Sequence, residues 1–151
     1  MRFFHQGQFE GYQIKISVHL CRGPSETVDP LLPEFYDRLL ACLKIDAARS
    51  GQWQLLSTRS AWDGNDTYLD FIASAWQGQS GEHLLVVVNY AAHQSQCYAP
   101  MPFPEFTAEL VRLVDRMSPA IYERQGDSLI TTGLYLDLPA WGYHVFELII
   151  V

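Results

Sequence analysis

The chain has 151 residues, 48% apolar and 18% charged, with a formal net charge of −7, and that length sets one domain with room for a sizeable core as the default. The acidic balance argues against nucleic acid, whose phosphates need Lys and Arg to displace counterions, and against an anionic membrane surface, while a neutral polysaccharide is indifferent to it. No basic segment followed by an apolar run opens the chain, and no apolar stretch reaches the ~18 residues of a membrane span.

In chain order, residues 1–11 read MRFFHQGQFEG, an apolar strand running into a glycine-punctuated polar loop. Residues 29–50 place Leu32, Phe35, Leu39, Cys42 and Leu43 at helical spacing, which predicts one amphipathic helix. Pro30 and Pro33 both suit its first turn, and Ser50-Gly51 stops it. The composition then shifts to β-branched and aromatic residues broken by turn signals. Strands are predicted over 53–58, 68–77, 84–90, 96–101, 110–115, 121–124, 129–132, 134–138 and 143–150, although 106–117 also fits a short helix. Residues 84–88 are apolar without a break, which places that strand in the middle of a sheet covered on both faces. The expected fold is mainly β, an antiparallel Greek-key β-sandwich of seven to eight strands preceded by a strand, a loop and one helix.

Four segments, MRFFHQGQFEG, GQWQLLSTRSAW, HLLVVVNYAAHQSQCY and GLYLDLPAWGYHVFEL, resemble the α-amylase family of glycoside hydrolases, family 13. The first is similar to the end of the last barrel strand and its loop, the others to the C-terminal β-sandwich that follows the barrel. The resemblance implies that residues 1–50 are what is left of the last strand, loop and helix of a (β/α)8 barrel and that residues 51–151 are the sandwich domain. It also implies a missing catalytic barrel as partner, in the same polypeptide or in trans. Phe9 in Gly7-Gln8-Phe9-Glu10-Gly11 is an insertion relative to the commoner form of the family's loop, and Glu10 is expected to brace that loop.

A glycosidase needs two carboxylates about 5 to 9.5 Å apart across the scissile bond. In the resembled family the nucleophilic Asp, the acid Glu and a third Asp lie on barrel loops upstream of the matched part, and no segment here matches those motifs. The chain is therefore expected to have no catalytic residues. Glu10, Asp63 and Asp70 are carboxylates by type alone and read as turn residues. Loops at the C-terminal ends of barrel strands face substrate, so His5, Gln6 and Gln8 are the nearest approach to an active site, or else plain polar loop residues. The five histidines have neither HxxxH nor HxH spacing and no phosphate-binding glycine loop is present, so neither a metal nor a cofactor is expected. Cys21, Cys42 and Cys97 lack any C-x-x-C spacing and read as reduced thiols of a cytoplasmic protein.

The aromatics Trp53, Trp62, Trp76, Trp141, Tyr68, Tyr90 and Tyr98 serve one of two ends. They form a platform for the rings of an α-glucan oligosaccharide, or they fill the sandwich core and its seam with a barrel. Trp62, beside Asp63-Gly64, and Trp141, between Pro139 and Gly142, are the surface candidates because turns lie outside. The expected role is a non-catalytic C-terminal domain of an α-glucan-active enzyme. The alternatives are a freestanding starch- or glycogen-binding module and a structural protein that self-associates through Phe3, Phe4, Phe9 and the apolar helix face.

Overall fold

The computed structural model describes residues 4–5, 7–14, 17, 19 and 21–151. It contains two compact units, Met1–Ala41 and Cys42–Val151.

In the first unit, a helix α1 (Leu31–Cys42) begins where the Asp29 carboxylate accepts the Leu31 N–H at 2.9 Å, which satisfies one of the donors a helix start leaves free. Its half-buried side chains include Leu32, Phe35, Tyr36, Leu39 and Leu40, in line with the predicted stripe. Tyr36 gathers the glycine loop around it: its ring meets Phe9 edge-on at 4.6 Å and Phe4 at 6.3 Å. Phe4 and Phe9 are therefore half-buried, not the open apolar patch the sequence suggested. Phe3 lies outside the described residues.

The predicted single helix is in fact two. Ile45 is extended (φ −63°, ψ 133°) and a second helix α2 (Asp46–Ser50) starts after it. Asp46 favours the first turn of a helix, where the backbone N–H groups are unpaired, and this restart wins over continuation. Ala47 is fully buried, and α2 packs on the second and third strands of the sheet below.

Among the described residues eight strands follow: β1 (Gln52–Leu56), β2 (Phe71–Gln77), β3 (His83–Asn89), β4 (Ser95–Ala99), β5 (Leu110–Asp115), β6 (Ile121–Gln125), β7 (Leu134–Leu138) and β8 (Tyr143–Ile150). One sheet has six strands in the order β1-β2-β3-β8-β5-β6, and β4 pairs with β7 in a two-stranded ribbon. All pairings are antiparallel. β8 returns to fill the place between β3 and β5, which is the Greek-key closure. The core lies between the layers. It joins Ala73, Leu85, Val87, Val111, Leu113, Phe146 and Leu148 of the large sheet to Cys97, Ala99, Leu134, Leu136 and Leu138 of the ribbon, each set alternating along its strand as the pleat requires.

Two predicted strands differ. Residues 68–70 belong to a 3-10 turn, Thr67–Asp70, so the second strand starts at Phe71. Residues 129–132 are not a strand: α3 (Gly126–Thr131) forms instead. Its Gly126 lies so close to Phe106 that an added Cβ would stand 1.8 Å from the Phe106 carbonyl oxygen. Leu129 drops into the core beside that contact, and Gly133 (φ 101°) closes the helix by donating to the Ser128 carbonyl, a common helix stop. Residues 110–115 form a strand, so the helical reading of 106–117 fails: a 3-10 turn, Pro104–Phe106, and Ala108 at φ 61° intervene.

Candidate functional site

The barrel-loop residues come first. His5 is exposed, and Gln6 lies outside the described residues. Gln8 is occupied at both ends of its amide: Oε1 accepts the His5 N–H at 3.3 Å and Nε2 donates to the Tyr36 hydroxyl at 2.9 Å. The Glu10 carbonyl accepts the Asp29 N–H at 3.0 Å. Gln8 therefore holds the loop to α1, with one acceptor site and one N–H of its amide spent on positioning.

Trp141 is the better-built candidate. It is 55% exposed, stands in the left-handed region at φ 58°, and meets Tyr90 edge-on at 5.6 Å. A non-glycine residue there carries about 1 to 2 kcal/mol of backbone strain, so the surroundings must hold it. They do: Trp141 N–H donates to Ala91 O, Gly142 N–H to Pro139 O and Asn89 N–H to Gly142 O. The fully buried Asn89 adds Nδ2 contacts to the carbonyls of His93, Leu138 and Pro139 at 2.8 to 3.2 Å. A buried amide thus ties the loop after β3 to the turn before β8 and displays an exposed aromatic pair.

Trp62 is 53% exposed. Its loop is pinned by Ser60, whose one hydroxyl proton is within reach of the carbonyls of both Trp62 and Asn65, and by Asn65 and Thr67, which reach Gln96 on β4. Asp70 accepts from Ser95 at 2.8 Å and contacts the His93 ring at 3.0 Å, so that carboxylate braces the same end of the sandwich. Among the described residues no ring contact joins Trp62 to Trp141, and no three His, Cys, Asp or Glu side chains gather as a metal ion would need.

None of the four tryptophans enters the core, which is built from Phe, Leu, Val, Ala, Met and Cys side chains. The core reading of those rings is corrected accordingly: only Tyr68 packs against that cluster.

The register shows where Trp53 and Trp76 go. Gln54 and Leu56 pair with Ala75 and Ala73 of the core face, so Trp53 and Leu55 point to the opposite face of the sheet. Along that face stand Ile72, paired with Val88, and Val88, paired with Tyr143. Trp53, Leu55 and Ile72 are 58%, 60% and 50% exposed. In sequence, Trp53 and Trp76 stand open between a sugar platform and the core with its seam, and the alternation in QWQLL does not decide it, because the glutamines share the core side with Leu56 while the large apolar residues Trp53 and Leu55 face out.

No helix among the described residues is long and apolar enough to cross a membrane. No protein-family model and no curated protein matches the chain. Among solved structures, a point mutant of trehalulose synthase MutB is similar with a TM-score of 0.46 and 20% identity, covering 78% of this chain and 18% of that one. A monoclinic form of trehalulose synthase MutB from Pseudomonas mesoacidophila gives a TM-score of 0.44 at 20% identity, covering 83% of this chain and 22% of that one. The chain spans about a fifth of the length of these enzymes.

Proposed function

We propose that this chain is the non-catalytic C-terminal sandwich of an α-amylase-like glycoside hydrolase of family 13, acting on α-glucans, in which residues 1–50 continue a (β/α)8 barrel and residues 51–151 stabilise it. The observation that carries the reading is the apolar outer face of the six-stranded sheet, where Trp53, Leu55 and Ile72 stand open on adjacent strands. Contiguous apolar surface of this kind marks an interface, and a barrel is the partner that the resemblance of the sequence segments implies. The complete enzyme would hydrolyse or transfer α-glucosidic bonds with retention, using carboxylates on the barrel. The test uses the full chain as bait in an extract of its own cells, with the bound fraction assayed on malto-oligosaccharides. A retained polypeptide with that activity, lost with Trp53→Ser and Ile72→Ser, supports the reading. Hydrolysis by the chain alone, or a glucan-active polypeptide retained equally by the double variant, contradicts it.

A second reading, a sugar-binding module, is favoured by the strained Trp141 beside Tyr90, since strain held in place by surrounding bonds concentrates at functional positions. Titration with a malto-oligosaccharide followed by tryptophan fluorescence tests it. A saturable change lost in Trp141→Ala or Trp62→Ala supports it, and a flat response up to roughly millimolar sugar contradicts it.

A further inference from the structure

The backbone bonds of β4 fix which edge of β7 is left open. Gln96 and Tyr98 spend their backbone groups on the side away from β7. The Gln96 N–H donates to the Thr67 hydroxyl at 2.9 Å, its carbonyl lies within reach of the same hydroxyl, and Tyr98 exchanges two backbone bonds with Arg59 at 2.8 and 2.9 Å. Successive strand residues address opposite edges, so the ladder between β4 and β7 runs from Ser95, Cys97 and Ala99 to Leu138, Leu136 and Leu134. The N–H and carbonyl groups of Tyr135 and Asp137 therefore point to the other edge of β7, where no strand pairs among the described residues.

Beside that edge lies a cleft of about 140 Å³ between β6, β7 and β8. The ribbon stops at β7 while the large sheet continues to β6, whose residues are all exposed. Leu136 and the Phe146 ring form the floor, with Tyr122 edge-on to Phe146 at 5.9 Å and His144 stacked on it at 4.7 Å. The Tyr135 and Asp137 side chains stand on the opposite face of β7, where Tyr135 meets Tyr98 at 5.5 Å and Asp137 accepts from Gln94 and Gln96, so it is their backbone that borders the cleft. At the Leu134 end, Arg124 lies over the Tyr122 ring at 5.8 Å and forms no ion pair among the described residues. At the Leu138 end, His144 Nδ1 is 2.9 Å from Oδ2 of the buried Asp115, an acceptor that fixes the proton on Nδ1 and leaves Nε2 an acceptor.

We propose that the free edge of β7 captures an extended segment of another polypeptide as a third, antiparallel strand of the ribbon, with a large apolar side chain in the cleft and a carboxylate two residues later. An open strand edge is a template for such pairing. An antiparallel segment exchanges two bonds with Asp137 and two with Tyr135. The residue between them lies opposite Leu136 and turns inward, because side chains alternate along a strand. The space it enters is close to the apolar cavity of about 150 Å³ that holds one benzene, so a phenylalanine fits. Two residues on, opposite Leu134, an inward carboxylate meets the Arg124 guanidinium. Two residues before, opposite Leu138, a hydroxyl donates to His144 Nε2. A second copy of this chain does not fit by the same edge, since pairing two β7 strands about a two-fold axis drives both overhanging β6 strands into one space. A single strand has room.

The probe is the pentapeptide Thr-Lys-Phe-Thr-Glu, acetylated and amidated, titrated into the full chain and followed by amide-resolved NMR. The expected result is a saturable shift centred on residues 135–137, 122 and 146, with a Kd below about 1 mM, and amide exchange of Tyr135 and Asp137 slowed about tenfold or more at saturation. N-methylation of the probe reads the register. At the lysine or the second threonine, whose N–H groups meet Asp137 and Tyr135, it should abolish binding, while at the phenylalanine, whose N–H points away from β7, affinity should stay within about twofold. Glycine in place of the phenylalanine should weaken the probe about tenfold or more, and Arg124→Ala in the protein about threefold. No saturable shift at these residues, binding that survives methylation at the lysine and second threonine, or shifts at Tyr135 and Asp137 that grow with protein concentration without any probe would overturn the proposal, the last in favour of self-pairing. The double variant Trp53→Ser, Ile72→Ser alters the opposite face of the large sheet and should bind the probe as the native chain does, so failure here is distinct from failure of the barrel-partner reading.

Discussion

The buried Asp115 carboxylate and the His144 ring, separated by 29 positions on different strands, meet with 2.9 Å between Oδ2 and Nδ1. Burial works against ionising Asp115, but the Ser118 hydroxyl, His144, and the N–H groups of Met117 and Val145 together outweigh it and hold the carboxyl below its ordinary value of 3.8. A group whose pKa falls on folding adds stability above the unfolded value, and that stability is lost as pH drops through the folded one. Thermal melts should therefore be level near neutral pH and fall below about pH 4. Asp115→Asn should cost about 3 kcal/mol at neutral pH and shallow the acid limb. Glu105 and Asp137 are lowered as well, so part of that limb stays.

Trp141 and Asn89 should respond in opposite directions. Trp141→Gly removes a side chain from a left-handed position that glycine adopts freely, so denaturant melts should show stability unchanged or raised by up to about 1 kcal/mol. Asn89→Ala strips a donor from three carbonyls and should cost about 2 kcal/mol. A large loss from Trp141→Gly would mean that the ring packs instead of being displayed.

Gly126 is where α3 touches the Phe106 backbone, and the Cβ of an alanine there would overlap the carbonyl oxygen. Gly126→Ala should destabilise by about 2 kcal/mol or more through forced backbone movement, although alanine is the better helix former by up to about 1 kcal/mol. Stabilisation on urea titration would show that the contact relaxes without cost.

Much of the fold was legible in the sequence because its signals are local. Leu134, Leu136 and Leu138 alternate with Tyr135 and Asp137, and that strand lies where the pattern put it. The unbroken 84–88 run became a central strand, between β2 and β8. Residues 129–132 misled because Leu129 and Ile130 are apolar neighbours without a period, while the deciding contact, Gly126 on Phe106, joins residues twenty apart. Among site residues, the turn argument rightly exposed Trp62 and Trp141. The Asn89 clamp and the Asp115–His144 pair could not be read, since each depends on strand pairings that no spacing encodes.

The most direct measurement is the sedimentation of the full chain, alone and with Trp53→Ser, Leu55→Ser and Ile72→Ser combined. If the outer sheet face is an interface awaiting a barrel, the native chain should self-associate at micromolar concentration, on the order of a −8 kcal/mol association, and the triple variant should be a stable monomer. A native chain that stays monomeric at every concentration, with the variant indistinguishable from it, would contradict the account.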